Sequence, residues 1–324
     1  MRVDHPDIMD FITAKNNSNN LTQFNMSVLV TDKFMTAVKN DLPFNLEFEG
    51  KVYDTVSATS LWDAILRSTW DWAEPGVIFI DRVNEMNNLW YIEEICATNP
   101  CGEQPLPPYG ACLLGSFNLV QYLIPKISGT NGSGFVFDWD ELKKDIPHVV
   151  RAMDNVIDET IYPLPEQKEE ATSKRRMGLG ITGLGNVLGA LRIPYGGDAA
   201  QSFVRDVMQF LANECYMASA LLAKEKGSFL MFNREEYLKG EFIKKLDSDV
   251  LDAIDLYGVR NSHLISIAPT GTISLTANNV SSGIEPVFSH SYTRTVQTPD
   301  GPIYEEVEDY AFREWGIKCE TADS

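Results

Sequence analysis

Basic residues are scarce in this chain. Lysine and arginine together number 27 against 46 aspartates and glutamates, a formal net charge of −19. Binding along a phosphate backbone needs clustered Lys and Arg, so the charge argues against a nucleic-acid-reading surface. A single polyphosphate remains admissible, because backbone N–H groups at a helix start can hold one inside an acidic protein. Cysteine is sparse too: Cys96, Cys101, Cys112, Cys215 and Cys319, an odd number with no CxxC pair. That argues against a disulfide-stapled secreted scaffold and for a reducing, cytoplasmic compartment. The four histidines, His5, His148, His263 and His290, are scattered and form no ligand set, so they read as structural. No apolar run is long enough to span a bilayer. The opening "MRVDHPDIMDFITAK" lacks the apolar stretch of a signal peptide.

What is present is a chain of 324 residues, 44% of them hydrophobic, enough for one large core or two ordinary domains. Helical and strand-like patterns alternate without an internal repeat. Residues 57–74 carry apolar side chains at helical spacing behind Ser and Thr caps. Residues 196–227 form the clearest helix, with Asp198 as its cap and Gly227 as its stop. Its apolar side holds Phe203, Val207, Phe210, Leu211 and Cys215, so Cys215 reads as core filler. Strands are predicted at 25–30, 111–119 and 263–269, and a surface loop at 125–134. The fold class is mixed α/β. Both ends of the chain are abrupt, which raises the expectation of a slice of something larger.

Two of the five cysteines fall in "ATNPCGEQPLPPYGACLLGS" (97–116). If Asn99, Cys101 and Glu103 lie on an extended segment, alternation points all three to one side. Pro100 favours extension at Asn99, and Gly102 allows close approach to the backbone. An amide, a thiol and a carboxylate together suit acid–base work on a hydroxyl-bearing substrate beside a reactive sulfur. No His or Lys is near to lower the thiol's pKa, which favours a hydrogen-atom carrier over a thiolate. A plain turn around a small buried residue is the competing reading. Metal ligation by Cys96, Cys101 and Cys112 is weak, since the spacing is wrong and no His is near.

The wider sequence resembles the adenosylcobalamin-dependent (class II) ribonucleotide reductases over nearly its whole length. "NPCGEQPLPPYGACLLGSFNL" resembles their active-site finger loop, and "DHPDIMDFITAK" with "TQFNMSV" the segment around their specificity loop. "KRRMGLGITGLGNVL" (174–188) resembles a conserved helical hairpin region, and "APTGTISLTANNVSSGIEPVFS" (268–289) the substrate-phosphate loop and the strand after it. The short spacing to Cys112 separates it from the family's aerobic two-subunit members.

The resemblance implies a single catalytic domain over 1–324, a partial ten-stranded α/β barrel with an inserted finger loop, incomplete at both ends. Cys101 matches the thiyl-radical cysteine, Glu103 the acceptor of the 3′-hydroxyl proton, and Asn99 the amide on the ribose. Cys112 matches one half of a redox pair whose partner is not in this chain, and Cys319 is incidental. Pro269, Thr270, Gly271, Thr272, Ile273 and Ser274 match the phosphate loop. Taken alone, that stretch is only a Ser/Thr/Gly turn at a helix start. Lys15, Asn16, Asn17, Ser18, Asn19 and Asn20 match the specificity loop, with Lys15 a candidate base or phosphate contact. The implied cofactor is adenosylcobalamin. The implied partners are a ribonucleoside di- or triphosphate substrate, a deoxynucleotide effector, a thioredoxin-like reductant, the rest of the enzyme and a second copy in a homodimer, with no nucleic acid and no membrane. A non-catalytic nucleotide-binding fragment and another radical enzyme on the same barrel are the alternatives.

Overall fold

The computed structural model describes residues 1–16, 21, 23–111, 113–126 and 134–322. The chain is mixed α/β, as expected, and divides into two units: Met1–Pro108 with Gly240–Phe242, and Tyr109–Lys239 with Ile243–Ser324.

In the first unit, helix α1 (Ile8–Thr13) leads into the specificity-loop segment, and strand β1 (Ser27–Val30) leaves it. Helix α2 (Asp32–Lys39) starts where the Thr31 hydroxyl accepts from the Phe34 N–H at 3.1 Å. This cap satisfies a donor that has no partner inside the helix. The hairpin of β2 (Pro43–Phe48) and β3 (Lys51–Ser57) turns through Glu49 and Gly50, at φ 49° and 76°. Two such residues match the natural twist of the strands. Ser57 then caps helix α3 (Ala58–Trp72), where the predicted helix lies. Ala58, Leu61, Ile65 and Ser68 recur every three or four residues and are its buried stripe. Strand β4 (Gly76–Phe79) pairs in parallel with β1, Gly76 opposite Ser27, and continues into helix α4 (Ile80–Glu85). A small antiparallel pair, β5 (Ala97–Thr98) and β6 (Pro105–Leu106), carries the finger-loop residues.

The second unit opens with strands β7 (Leu114–Asn118), β8 (Leu123–Pro125) and β9 (Phe135–Phe137) and helices α5 (Trp139–Glu159) and α6 (Pro165–Lys174). Strand β10 (Gly178–Thr182) pairs in parallel with β7 and runs into helix α7 (Leu184–Leu191). Helices α8 (Asp198–Lys226), α9 (Arg234–Tyr237), α10 (Ser248–Tyr257) and α11 (Gly271–Thr276) follow. The hairpin β11 (Ser291–Thr298) and β12 (Gly301–Glu308) and helix α12 (Tyr310–Trp315) complete the order.

Three expectations change here. Residues 174–188 are a helix end, a strand and a helix, not a helical hairpin, because "GLGIT" is buried at every position like a strand covered on both faces. The α8 cap is Gly197; Asp198 is already helical and contributes as a first-turn acid instead. Residues 263–269 form one bridge, Leu179 to Ile265, rather than a regular strand. The Ser266 carbonyl comes so close to β10 that a Cβ on Gly180 would sit 2.3 Å from it. The ten-stranded barrel also goes unseen: among the described residues the strands pair only two by two and close no barrel. No helix among them is long and apolar enough to cross a membrane.

One buried charge ties the second unit together. Asp154 on α5 has no solvent exposure. Its carboxylate accepts from Arg175 Nε at 2.8 Å, Asn261 Nδ2 at 3.0 Å, and Arg260 Nε and Lys226 Nζ at 3.2 Å. Burial alone would raise its pKa. The hydrogen bond and charge of Arg175, with Arg260 and Asn261, outweigh burial and hold it below the ordinary value.

Candidate active site

Lys15, the first of the specificity-loop candidates, and Phe24, beyond the last of them, are tied together. Lys15 pairs with the Glu74 carboxylate and donates to the Phe24 carbonyl, so one ammonium group spans the two ends of the loop. The buried Ser68 hydroxyl donates to the Ile12 carbonyl at 2.9 Å and lies 3.0 Å from the Asn16 amide. Lys15 and Asn16 are therefore engaged within the protein. Asn17, Ser18, Asn19 and Asn20 lie outside the described residues, as does Cys112.

The finger-loop residues make a turn, not the extended edge expected from alternation. Gly102 N–H donates to the Asn99 carbonyl at 3.1 Å, closing a β-turn with Pro100 and Cys101 at its centre. Proline pre-sets the backbone angle for the second turn position, and Gly102 supplies a φ of 87° just after it. Asn99 braces the loop from within, its Oδ1 accepting from the Gln104 N–H at 2.9 Å. That bond fixes the orientation of the amide and turns Nδ2 the other way, where it has no partner among the described residues. Cys101 is exposed on the turn, and Glu103 is partly buried behind it.

The two segments meet. Asn25 Nδ2, just beyond the specificity-loop candidates, donates to the Pro100 carbonyl at 2.8 Å across 75 positions. Beside this bond lies a cavity of about 540 Å³, whose walls include Phe24, Asn25 and Met26 from one segment and Cys96, Thr98, Asn99 and Pro100 from the other. Ile78 of β4 and Leu29 of β1 give it an apolar side. A volume of this size suits a small-molecule ligand. Cys101 and Glu103 do not line this cavity; they follow immediately after its Pro100 edge. The contributions of Asn25 and Glu74 were not legible in sequence, where no motif spacing singles either of them out.

In the second unit, the phosphate-loop candidates divide by exposure. Thr270 and Ser274 are buried, whereas Pro269, Gly271, Thr272 and Ile273 are exposed. Ser274 Oγ donates to the Gly271 carbonyl at 2.9 Å, and its N–H donates to the Thr270 carbonyl at 2.7 Å. Helix α11 starts at Gly271, so the first-turn N–H groups beside the Thr272 hydroxyl have no partner within the helix.

The remaining candidates are structural by placement. Cys215 is buried in α8, and burial pushes its thiol far up. Cys319 is also buried, which raises its thiol to about 12. His263 is held well below its usual value by burial and by Arg176 and Lys174, so it stays neutral. Among the described residues no group of His, Cys, Asp and Glu is arranged to hold a metal ion.

Comparison with known proteins gives a consistent result. The model of the ribonucleotide reductase barrel domain matches residues 1–316. A vitamin B12-dependent ribonucleoside-diphosphate reductase of Thermoplasma acidophilum is 37% identical, over 99% of this chain and 39% of its own length. Its counterpart from Mycobacterium tuberculosis is 38% identical, over 91% of this chain and 39% of its own. The ribonucleoside-diphosphate reductase alpha subunit of Chlamydia pneumoniae is 30% identical, over 76% of this chain and 25% of its own. The chain spans about two fifths of the length of the vitamin B12-dependent relatives it matches.

Proposed function

The chain belongs to the ribonucleotide reductase barrel-domain family, and from that premise we propose that it carries the substrate-reducing site of a vitamin B12-dependent ribonucleotide reductase. The substrate is a ribonucleoside diphosphate, the class named by both vitamin B12-dependent relatives. The observation that supports this reading best is the cavity shared by the specificity-loop exit and the finger loop. A base read by one and a ribose worked on by the other need such a common space.

Cys101, as a thiyl radical, takes the 3′ hydrogen atom of the ribose. Glu103 takes the 3′-hydroxyl proton as the 2′-hydroxyl leaves as water. Asn99 Nδ2 donates to a ribose hydroxyl, since Oδ1 is committed to the Gln104 N–H. Two electrons come from a dithiol that includes Cys112 and ends as a disulfide, after which Cys101 returns its hydrogen atom to the 3′ carbon. Adenosylcobalamin supplies, when bound, a weak metal–carbon bond as the radical source. Cobalamin brings its own cobalt, so the chain has only to present a reachable thiol, and the exposed position of Cys101 fits that need.

On this reading residues 1–324 are part of a single catalytic domain, and each parallel pair, β1–β4 and β7–β10, is a piece of the wall of a ten-stranded α/β barrel. The effector is a deoxynucleotide sensed through residues 15–20. A thioredoxin-like protein restores the dithiol, and the enzyme works as a homodimer in the cytoplasm. The test is deoxynucleotide formation by the full polypeptide containing this chain, with adenosylcobalamin, substrate and a dithiol. Cys101→Ala is expected to abolish product while the protein remains folded by circular dichroism. Product formation by the variant would remove Cys101 from the chemistry.

A further inference from the structure

The peptide that leads into Cys101 has its carbonyl held from outside its own turn. Between Asn99 and Gly102 the closing bond uses the Asn99 carbonyl, so the Pro100 carbonyl takes no part in it. That carbonyl accepts instead from Asn25 Nδ2 at 2.8 Å. Asn25 is exposed, and a bond from a loose exposed side chain is worth little once the cost of ordering it is counted. Here the backbone is pinned on both sides. The Phe24 carbonyl accepts from Lys15, which also pairs with Glu74. The Met26 carbonyl accepts from the N–H of Gly76, the first residue of β4, at 2.8 Å. The amide of Asn25 is therefore aimed before it bonds, and less freedom is lost in making the bond.

The direction of the Pro100 carbonyl decides the kind of turn. Type I and type II turns share their ends and their closing bond, and differ by about half a rotation of the central peptide, here Pro100–Cys101. Proline in the second position suits both. The type II form puts a positive φ at the third position, and Cys101 does not have one. The turn is therefore of the type I kind. A side chain at that place disfavours the other form without forbidding it. Rotation to the type II form would carry the Pro100 carbonyl away from Asn25 and swing the Cys101 side chain to a new direction.

We propose that Asn25 is a positioning residue for Cys101. By holding the Pro100 carbonyl it locks the central peptide in the type I form and keeps the thiol in one direction. It acts on the thiol through the peptide bond that carries Cys101. This inference rests on the reading of Cys101 as the radical cysteine, because a thiol that must reach one particular hydrogen atom needs a fixed direction.

The experiment uses the full polypeptide containing this chain and compares the parent with Asn25→Leu, Asn25→Ala and Cys101→Ala. Leucine keeps the approximate size of the side chain and removes the donor without adding charge. The measurements are the single-turnover rate of deoxynucleotide formation by pre-reduced protein at increasing ribonucleoside diphosphate, hydrogen exchange of the amides in 99–104, and the thermal midpoint. Both Asn25 variants are expected to lower the maximal rate about fivefold, the factor of one neutral hydrogen bond. The half-saturating substrate concentration should change by less than about twofold, since no substrate contact is lost. Exchange in 99–104, where the Gly102 and Gln104 N–H groups are bonded to Asn99, should quicken by a similar factor while the midpoint holds. A parental rate or parental exchange in both variants overturns the positioning role. So does a raised half-saturating concentration with a parental maximal rate, which makes Asn25 a substrate contact. A lowered midpoint with faster exchange throughout the chain overturns it too, as general destabilisation. Product from Cys101→Ala removes the radical reading instead, and exchange in 99–104 then still reports whether Asn25 holds the turn.

Discussion

Asn99 offers the sharpest test of the proposed chemistry, because its two ends have different tasks. Oδ1 braces the turn through the Gln104 N–H at 2.9 Å, and Nδ2 faces away from that bond. Asn99→Asp keeps an oxygen for the brace and replaces the donor with a second acceptor. Asn99→Ala removes both. If Nδ2 donates to a ribose hydroxyl, the aspartate variant loses that bond inside the site and leaves the hydroxyl oxygen without its donor. Leaving such a group unpaired costs about 1.5–3 kcal/mol, or roughly 10- to 150-fold in kcat/KM. The thermal midpoint of Asn99→Asp should stay near that of the parent, since the brace survives. Asn99→Ala should lose comparable activity and in addition about 1 kcal/mol of stability, the net worth of one neutral hydrogen bond. The measurements are steady-state deoxynucleotide formation and thermal denaturation of the full polypeptide. An aspartate variant with parental kcat/KM would refute the donor role. Equal loss of stability in both variants would refute the brace.

Two further outcomes follow from the same geometry. Cys112→Ser should permit no complete turnover, because the 3′ hydrogen can still be taken but the dithiol that supplies the two electrons is gone; quench-flow product counting checks this, and product approaching one equivalent per site would count against the redox role. Asp154→Asn should destabilise the fold by about 3–5 kcal/mol, since it leaves Arg175, Arg260 and Lys226 without their shared counter-charge. The folded pKa of Asp154 lies below its unfolded value, which is near the ordinary 3.8. Its contribution is therefore fully present above that value and lost as pH falls through the folded pKa. In urea titrations the gap between parent and variant should narrow below about pH 4, and a gap that widens on acidification would contradict the network.

Local signals decided much of this protein. The cap at Ser57, the apolar stripe of α3 and the stop at Gly227 each depend on neighbours within a turn or two, so the helices they bound were legible. The finger-loop residues were legible as a chemical set for the same reason, since Asn99, Cys101 and Glu103 are adjacent in sequence. Their geometry was not, because alternation assumes an extended backbone and Pro100 followed by Gly102 makes a turn instead. Residues 263–269 had a strand's composition, yet they make one bridge, Leu179 to Ile265, where Ser266 packs against Gly180. The contacts that shape the candidate loops of each unit lie farther still from what sequence encodes locally. Asn25 reaches Pro100 across 75 positions, and Thr182 reaches Thr270 across 88. Nothing in the spacing of one Asn or one Thr says which distant carbonyl or hydroxyl it will meet. A hydrogen bond needs its donor and acceptor within about 3 Å, and for groups so far apart along the chain only the packing of the intervening strands and helices brings them together.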